Sequence, residues 1–479
     1  MNSMSNDLSF ALPGLHVRDL TIEVPLDRSR PQRGTIEVFA RVVTGHGGEA
    51  RPFAVYLQGG PGVEAPRPSL EPASPSWLPR VLEDYRLILL DQRGTGRSTP
   101  LGLDTPAPGL LPGTPAEVPA VQQPTSTSAE VSETSAGVFE TPAGVFETPA
   151  GVSGTSADAA GTTLRTADPA SAAEYLTHFR ADAIVDDALD VLHRLGAETV
   201  TPIGQSFGGF TTLHWMSTRP ETLAGAIMTG GLPAVGRTPD EVYSATWEIM
   251  RRKSLAFYRR FPDDRARMEE LAGLAAAGAI RLPNGDAVTP ARLRSVGHRL
   301  GATGGAEQLH WLLHLDHRGP AFQHDLAAAL PYGGRNPLYA VIHESSMADG
   351  HATRWAAERT MPDDVRSDPT LLGGEHVHSG LFDEDAELAP WKDIAHRVAD
   401  VPWPSLYDPD ALAEVRAPSA AIVYFDDAYV PTRFSLETAD LVPSLTPWVT
   451  NEWEHNGIRA SGTEVIDRLI GLVTGRRLP

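Results

Sequence analysis

The chain has 479 residues, no cysteine, and 40 Lys+Arg against 61 Asp+Glu, a formal net charge of −21. The missing cysteine excludes disulfides, thiolate nucleophiles and Cys-ligated zinc or iron–sulfur centres. The acidic balance argues against nucleic acid or an anionic membrane surface as the main partner.

The first 18 residues have neither a basic stretch nor an unbroken apolar run, so no signal peptide is expected. No segment approaches 18 consecutive apolar residues, which predicts no membrane span and a cytoplasmic protein. Strand-like runs follow at Leu20–Val24, Thr35–Val43, Phe53–Gln58 and Arg86–Leu90, each bounded by Pro, Gly or Asp. From 102 to 168 the composition turns to Pro, Thr, Ser, Ala and Gly, with almost no large apolar residues. A seven-residue tandem repeat sits inside it, at 134–140, 141–147 and 148–154. Glycine in every unit and proline in two of them exclude a coiled coil. Eight acidic side chains against one basic, Arg165, complete a segment too poor in apolar surface to offset its ordering entropy. It is expected to be a mostly disordered insertion.

Beyond it, Ile184, Ala188, Val191, Leu192 and Leu195 share one face of a predicted helix over 181–195, stopped by Gly196. A short strand at Val200–Ile203, a helix from about Gly208 and a strand at Ala224–Met228 come next. From about 236 to 390 only helix-like runs occur, and two late strands are expected at Ala420–Tyr424 and Thr446–Val449. Alternating strands and helices predict an α/β fold, a mostly parallel sheet flanked by helices, whose first two strands could form an antiparallel edge. The expected organisation is a core over 1–235 interrupted by the insertion, a helical lid over 236–390, and the rest of the core over 391–479.

The strongest chemical signal is Gly204-Gln-Ser-Phe-Gly208, a G-x-S-x-G motif between a strand and a helix. The tight turn needs small residues at Gly204 and Gly208, and it presents Ser206 as nucleophile. A serine hydroxyl needs a base that is itself oriented by a carboxylate, in the chain order Ser, acid, His. The acid should follow the strand at 420–424, which leaves Asp426 and Asp427, with Asp427 preferred. The base should follow the strand at 446–449, and His455 is the sole histidine beyond His396. For the oxyanion, the amide of Phe207 is one expected donor. Gly60, in the Gly59-Gly-Pro-Gly62 loop after an early strand, is the other, with Gly59 as the neighbouring alternative.

The set Gly59-Gly-Pro-Gly62, Asp91-Gln-Arg-Gly-Thr-Gly-Arg-Ser98 and Gly204-Gln-Ser-Phe-Gly-Gly209 resembles the proline iminopeptidases of the α/β-hydrolase fold. Lid stretches Asn336–Glu344, Arg354–Arg359 and Gly374-Glu375 resemble the longer bacterial type. The resemblance spans most of the chain outside the insertion. It implies a serine aminopeptidase releasing N-terminal proline from small peptides, with no cofactor, and places Glu344 and Glu375 at the substrate's amino group. It departs at Gln58, where many members carry His. Trp311, Trp355 and Phe382 are candidates for an apolar slot around the proline ring.

Two other readings stand beside this one. An esterase, amidase or other acyl hydrolase could use the same triad, and is separated by whether Glu344 and Glu375 face Ser206. A non-catalytic binding protein on a hydrolase scaffold would not need the complete triad set. His310, His314 and His317 have helical ligand spacing, and His376 and His378 alternate as on a strand. No H-E-x-x-H is present and a serine triad needs no metal, so none is expected. Oligomeric state is not legible.

Overall fold

The computed structural model describes residues 7–110 and 162–478. Nine strands form one sheet: β1 Leu8–Leu12, β2 Leu15–Pro25, β3 Thr35–Gly45, β4 Phe53–Leu57, β5 Arg86–Leu90, β6 Thr201–Gln205, β7 Ala226–Thr229, β8 Ser419–Tyr424 and β9 Leu445–Thr450. Their spatial order is β1-β2-β3-β5-β4-β6-β7-β8-β9. The pairs β1–β2, β2–β3 and β3–β5 are antiparallel, and every pair from β5 to β9 is parallel. The expected antiparallel edge is therefore present, extended by β1, which the sequence reading did not include.

The central parallel strands are short because both of their faces are covered, whereas the edge strand β9 is only partly buried. All residues of β4, β6 and β8 are buried. Alternate side chains feed two separate cores. Val55, Leu57, Ile88 and Leu90 point to one, which also holds Ile184, Val191, Phe210 and Leu213. Ala54, Tyr56, Leu87 and Leu89 point to the other, with Trp77, Ile466, Leu469 and Ile470. On the first face lie α1 (Ala181–Leu195) and α2 (Phe207–Thr218), and on the second α3 (Glu464–Val473). Gly196 ends α1 in the left-handed conformation, φ 67°, as its position predicts.

Between β7 and β8 the described elements are all helical, beginning with the 22-residue helix Pro239–Arg260, which a Thr238–Glu241 capping box starts. These helices reach the loops at the ends of the core strands. Asn336 and Leu338 pack against Gly62, Gly301 O accepts the His455 N–H at 3.0 Å, and the Tyr429 hydroxyl donates to His298 O.

The segment read as disordered is partly otherwise. Residues 102–110 and 162–168 are ordered: Leu103, Ala107, Leu110 and Leu164 are buried in the main core, and Arg165 forms a bidentate pair with Asp104 at 2.5 and 2.9 Å. Their few apolar side chains reach the core surface, a property that averaging composition over the whole span hides. The tandem repeat lies outside the described residues.

After β5, Asp91-Gln92-Arg93 performs three ties. Asp91 accepts from the amides of Ala65 and Arg97 at 3.0 and 2.9 Å. Gln92 Nε2 donates to Gln58 O at 2.6 Å. Arg93, fully buried, donates to both Asp187 oxygens at 2.7 and 2.5 Å and to the carbonyls of Leu26 and His178. Removing one partner of a buried ion pair strands the other in low dielectric. Asp187→Ala is expected to lower unfolding stability by about 3–5 kcal/mol in urea titration. A loss below about 1 kcal/mol would mean that the carbonyls alone hold Arg93.

Candidate active site

Ser206 stands between the end of β6 and the start of α2 with φ 55° and ψ −123°, a conformation that L residues avoid. Close backbone packing enforces it. A Cβ at Gly208 would sit 1.8 Å from Leu57 O, at Gly204 2.3 Å from Gly208 O, and at Gly209 2.5 Å from Gly231 O. Only hydrogen fits at those three positions, which is why the elbow is written in glycine. The Ser206 N–H is anchored on Thr229 O of β7 at 2.9 Å.

The loop after β8 carries Asp426 and Asp427, and the two diverge. Asp426 is exposed and accepts from Arg252 at 3.2 Å. Asp427 is buried; its Oδ1 accepts from the amides of Tyr429 and Val430 at 2.9 and 3.0 Å, and its Oδ2 meets His455 Nδ1 at 2.7 Å. These amides leave the second oxygen of Asp427 for the imidazole, so the ring's other nitrogen is the one available as a base. His455 Nε2 is buried and has no hydrogen-bond partner among the described residues. The His455 ring packs against Gly230, where a Cβ would be 3.0 Å from Nδ1. Gly231, the next residue, lies against Ser206: a Cβ there would be 2.6 Å from Ser206 O. Burial pushes the His455 pKa down, but the charge and hydrogen bond of Asp427, with the charge of Glu375, outweigh it and raise it above 6.5.

The Gly59–Gly62 loop lies on the elbow: a Cβ at Gly59 would come within 2.7 Å of Gln205 Oε1 and 3.1 Å of Ser206 Cβ. Gly60 takes φ 132°, a region closed to other residues. Phe207 opens α2, so its N–H has no acceptor within the helix. Phe207 thus follows Ser206 directly, and the loop that carries Gly60 reaches Ser206 through Gly59. Gln58, the departure from the family pattern, contributes its carbonyl to Gln92 and so to the position of this loop.

The two lid carboxylates have different surroundings. Glu375 receives the Tyr339 hydroxyl at 2.5 Å and lies 3.8 Å from both His298 Nε2 and His343 Nε2. Its burial would raise the carboxyl pKa, yet the nearby His298, with the charges of His343 and His455, brings it down to about 2. Glu344 is buried, and its oxygens accept from the amides of Ala356 and Ala357 at 3.2 and 2.9 Å, starting the short helix Ala356–Arg359. Burial raises its pKa despite these bonds. Its partners are backbone; those of Glu375 are side chains close to His455.

The three aromatic candidates fall elsewhere. Trp311 is 65% exposed, Phe382 is in the core, and Trp355 donates to His396 Nδ1 at 3.2 Å. The sequence reading missed the aromatic residues that do line this region. Tyr429 meets His455 edge-on at 4.9 Å and stacks on His298, while Tyr332 and Tyr339 adjoin His343. Tyr339 lies inside the stretch 336–344 already singled out, so its signal was present. His376, one of the alternating pair, stacks on Trp247 at 3.7 Å and bonds Thr246 and the Gly374 amide.

A nucleophile elbow after a parallel strand, with an acid and a histidine on later loops of the same sheet, defines an α/β hydrolase. A model of the alpha/beta hydrolase fold matches residues 55–275. A proline iminopeptidase of Aeromonas sobria is 35% identical over 488 aligned positions, covering 98% of this chain and 99% of its own. Proline iminopeptidase aneH of Aspergillus aculeatus is 26% identical over 95% of this chain and 93% of its own. The chain belongs to the proline iminopeptidase family.

The two aspartates make distinguishable predictions. Asp427→Asn should cut kcat by roughly 10³–10⁴, by the precedent of serine peptidases, and move the acid limb of the pH profile to lower pH. The sign follows from the raised pKa of His455: the base is neutral only above it, and losing the Asp427 charge lowers it. Asp426→Asn should leave both unchanged, and equal losses in the two variants would refute the assignment of Asp427.

Proposed function

We propose that the protein is a serine aminopeptidase that releases N-terminal proline from small peptides through an acyl-enzyme. Ser206 attacks the carbonyl carbon of the first residue while His455 Nε2 takes its proton. Asp427 holds the imidazole and stabilises the imidazolium that forms. The amides of Phe207 and Gly60 donate to the oxyanion. His455 then gives the proton to the departing amine, and water, deprotonated by the same histidine, releases proline.

The observation that carries the amino-terminal specificity is Glu375. Its carboxyl is held well below the usual range, at about 2, and it shares its surroundings with His455. A fixed anion there suits a cationic amine held one residue's length from the scissile bond, through a charge-assisted hydrogen bond. Glu344 acts behind it as a positioning residue, since its oxygens hold the turn into Ala356–Arg359. An ester or amide hydrolase without amine recognition has no use for a partly buried carboxylate at this place. Among the described residues no helix is long and apolar enough to cross a membrane.

Arylamides of Pro, Ala and N-acetyl-Pro, assayed with wild type and Ser206→Ala, separate the readings. Free Pro should be turned over, N-acetyl-Pro should not, and Ser206→Ala should be inactive. Glu375→Gln should cost about 3 kcal/mol, roughly a hundredfold in kcat/KM for Pro arylamide, with Ser206 still labelled by a fluorophosphonate. Turnover of N-acetyl-Pro equal to that of free Pro would establish the esterase or amidase reading instead. Activity should fall on the acid side as His455 protonates and on the alkaline side as the substrate amine loses its charge.

A further inference from the structure

The helical region holds a second cluster of chemically competent side chains, made of none of the residues assigned above. Asp264 opens the helix Asp264–Ala276, and the helix Gly305–Leu313 ends beside it, with His310 in its last turn and His314 as its C-cap. The i,i+4 spacing puts both imidazoles on one face, ring centroids 4.3 Å apart. Asp264 Oδ2 lies 2.8 Å from His310 Nδ1, and Oδ1 lies 3.6 Å from His314 Nε2. One ligand atom from each of the three residues can be chosen with all within 4.8 Å of one another.

A carboxylate that is only 2% exposed needs a counter-charge. The neighbouring arginines are engaged elsewhere: Arg260 on Glu307, Arg265 on Asp368, and Arg267 on Glu270. Among the described residues, the two imidazoles are the only side chains that pair with Asp264. Arg267 also donates to the carbonyls of Leu313 and Leu315 at 3.0 and 3.1 Å, which holds the end of the second helix against the first without any metal. His317 stands apart, its Nδ1 3.9 Å from Asp316.

We propose that Asp264, His310 and His314 form a binding site for a divalent transition metal of the Zn²⁺ type, bridging two lid helices. Tetrahedral ligands at zinc distances stand roughly 3.3 Å from each other; His310 Nδ1 and His314 Nε2 approach different oxygens of Asp264, at 2.8 and 3.6 Å, so both imidazoles face the one carboxylate at close to that spacing. Two imidazoles and one carboxylate favour Zn²⁺, Ni²⁺ or Cu²⁺ over Mg²⁺ and Ca²⁺. The metal takes the place of the proton between His310 and Asp264, and that proton is released to solvent. His314 is 53% exposed, so the remaining coordination position opens to water.

The test is Zn²⁺ titration of the chelator-treated full-length protein against a chromophoric competitor. Wild type should take up Zn²⁺ with an affinity that His314→Ala weakens roughly tenfold or more, and excess Mg²⁺ should not displace it. Because His314 is exposed, this variant should keep the wild-type circular dichroism and unfolding midpoint, so a loss of binding reports the ligand and not the fold. His310→Ala should show the same loss. The proposal is overturned if wild type takes up no Zn²⁺, if His314→Ala binds it as tightly, as uptake by other histidines would give, or if Mg²⁺ competes.

Discussion

The backbone contact between Gly208 and the carbonyl of Leu57 is the constraint on which the site depends. A single methyl group at Gly208 would overlap that oxygen at 1.8 Å. Its absence lets α2 start directly against β4, so the elbow and the oxyanion loop share one small volume. The same logic repeats at Gly209 against Gly231, which draws the loop after β7 to the nucleophile. Strain at Ser206 is therefore a consequence of packing on three sides. It persists because no neighbouring strand can move without breaking the parallel ladder.

Around that point, charge is arranged by what is allowed to touch what. Asp427 spends one oxygen on two amides and the other on His455, and this fixes the tautomer of the ring. Glu375 accepts from the Tyr339 hydroxyl, lies near two imidazoles and adds to the field that favours imidazolium at His455. The helices between β7 and β8 thus contribute to the surroundings of His455, whose N–H is also bonded to Gly301 O.

Much of this was legible in the sequence where local chemistry is self-contained. The elbow was readable because steric exclusion allows only glycine at fixed offsets from the serine. The strands β4, β5 and β8 were readable because burial on both faces leaves a mainly apolar run in each. The sequence supported a preference for Asp427 over Asp426 but did not fix it: the residues are adjacent, and the loop after β8 decides which one turns inward. Glu344 and Glu375 looked equivalent as acids in an acidic lid, and only their partners distinguish them. Trp311 was a reasonable slot candidate by residue type, but nothing local to a helix sequence reveals which face a distant element leaves open. The packed residues 102–110 and 162–168 were lost for a related reason, since four buried apolar side chains do not register in a window dominated by Pro, Ser and Thr.

Those two short stretches also determine how the catalytic core experiences the chain between them. The Ala107 amide bonds the carbonyl of Thr162 at 2.9 Å, so the polypeptide leaves and returns through a single doorway. Even for a wholly flexible connection, doubling its length adds only about 0.6 kcal/mol of closure cost. The core therefore senses the position of the doorway far more than the distance travelled beyond it. A change in the length of chain between Leu110 and Thr162 is expected to cost the core little, provided the Ala107–Thr162 contact is kept.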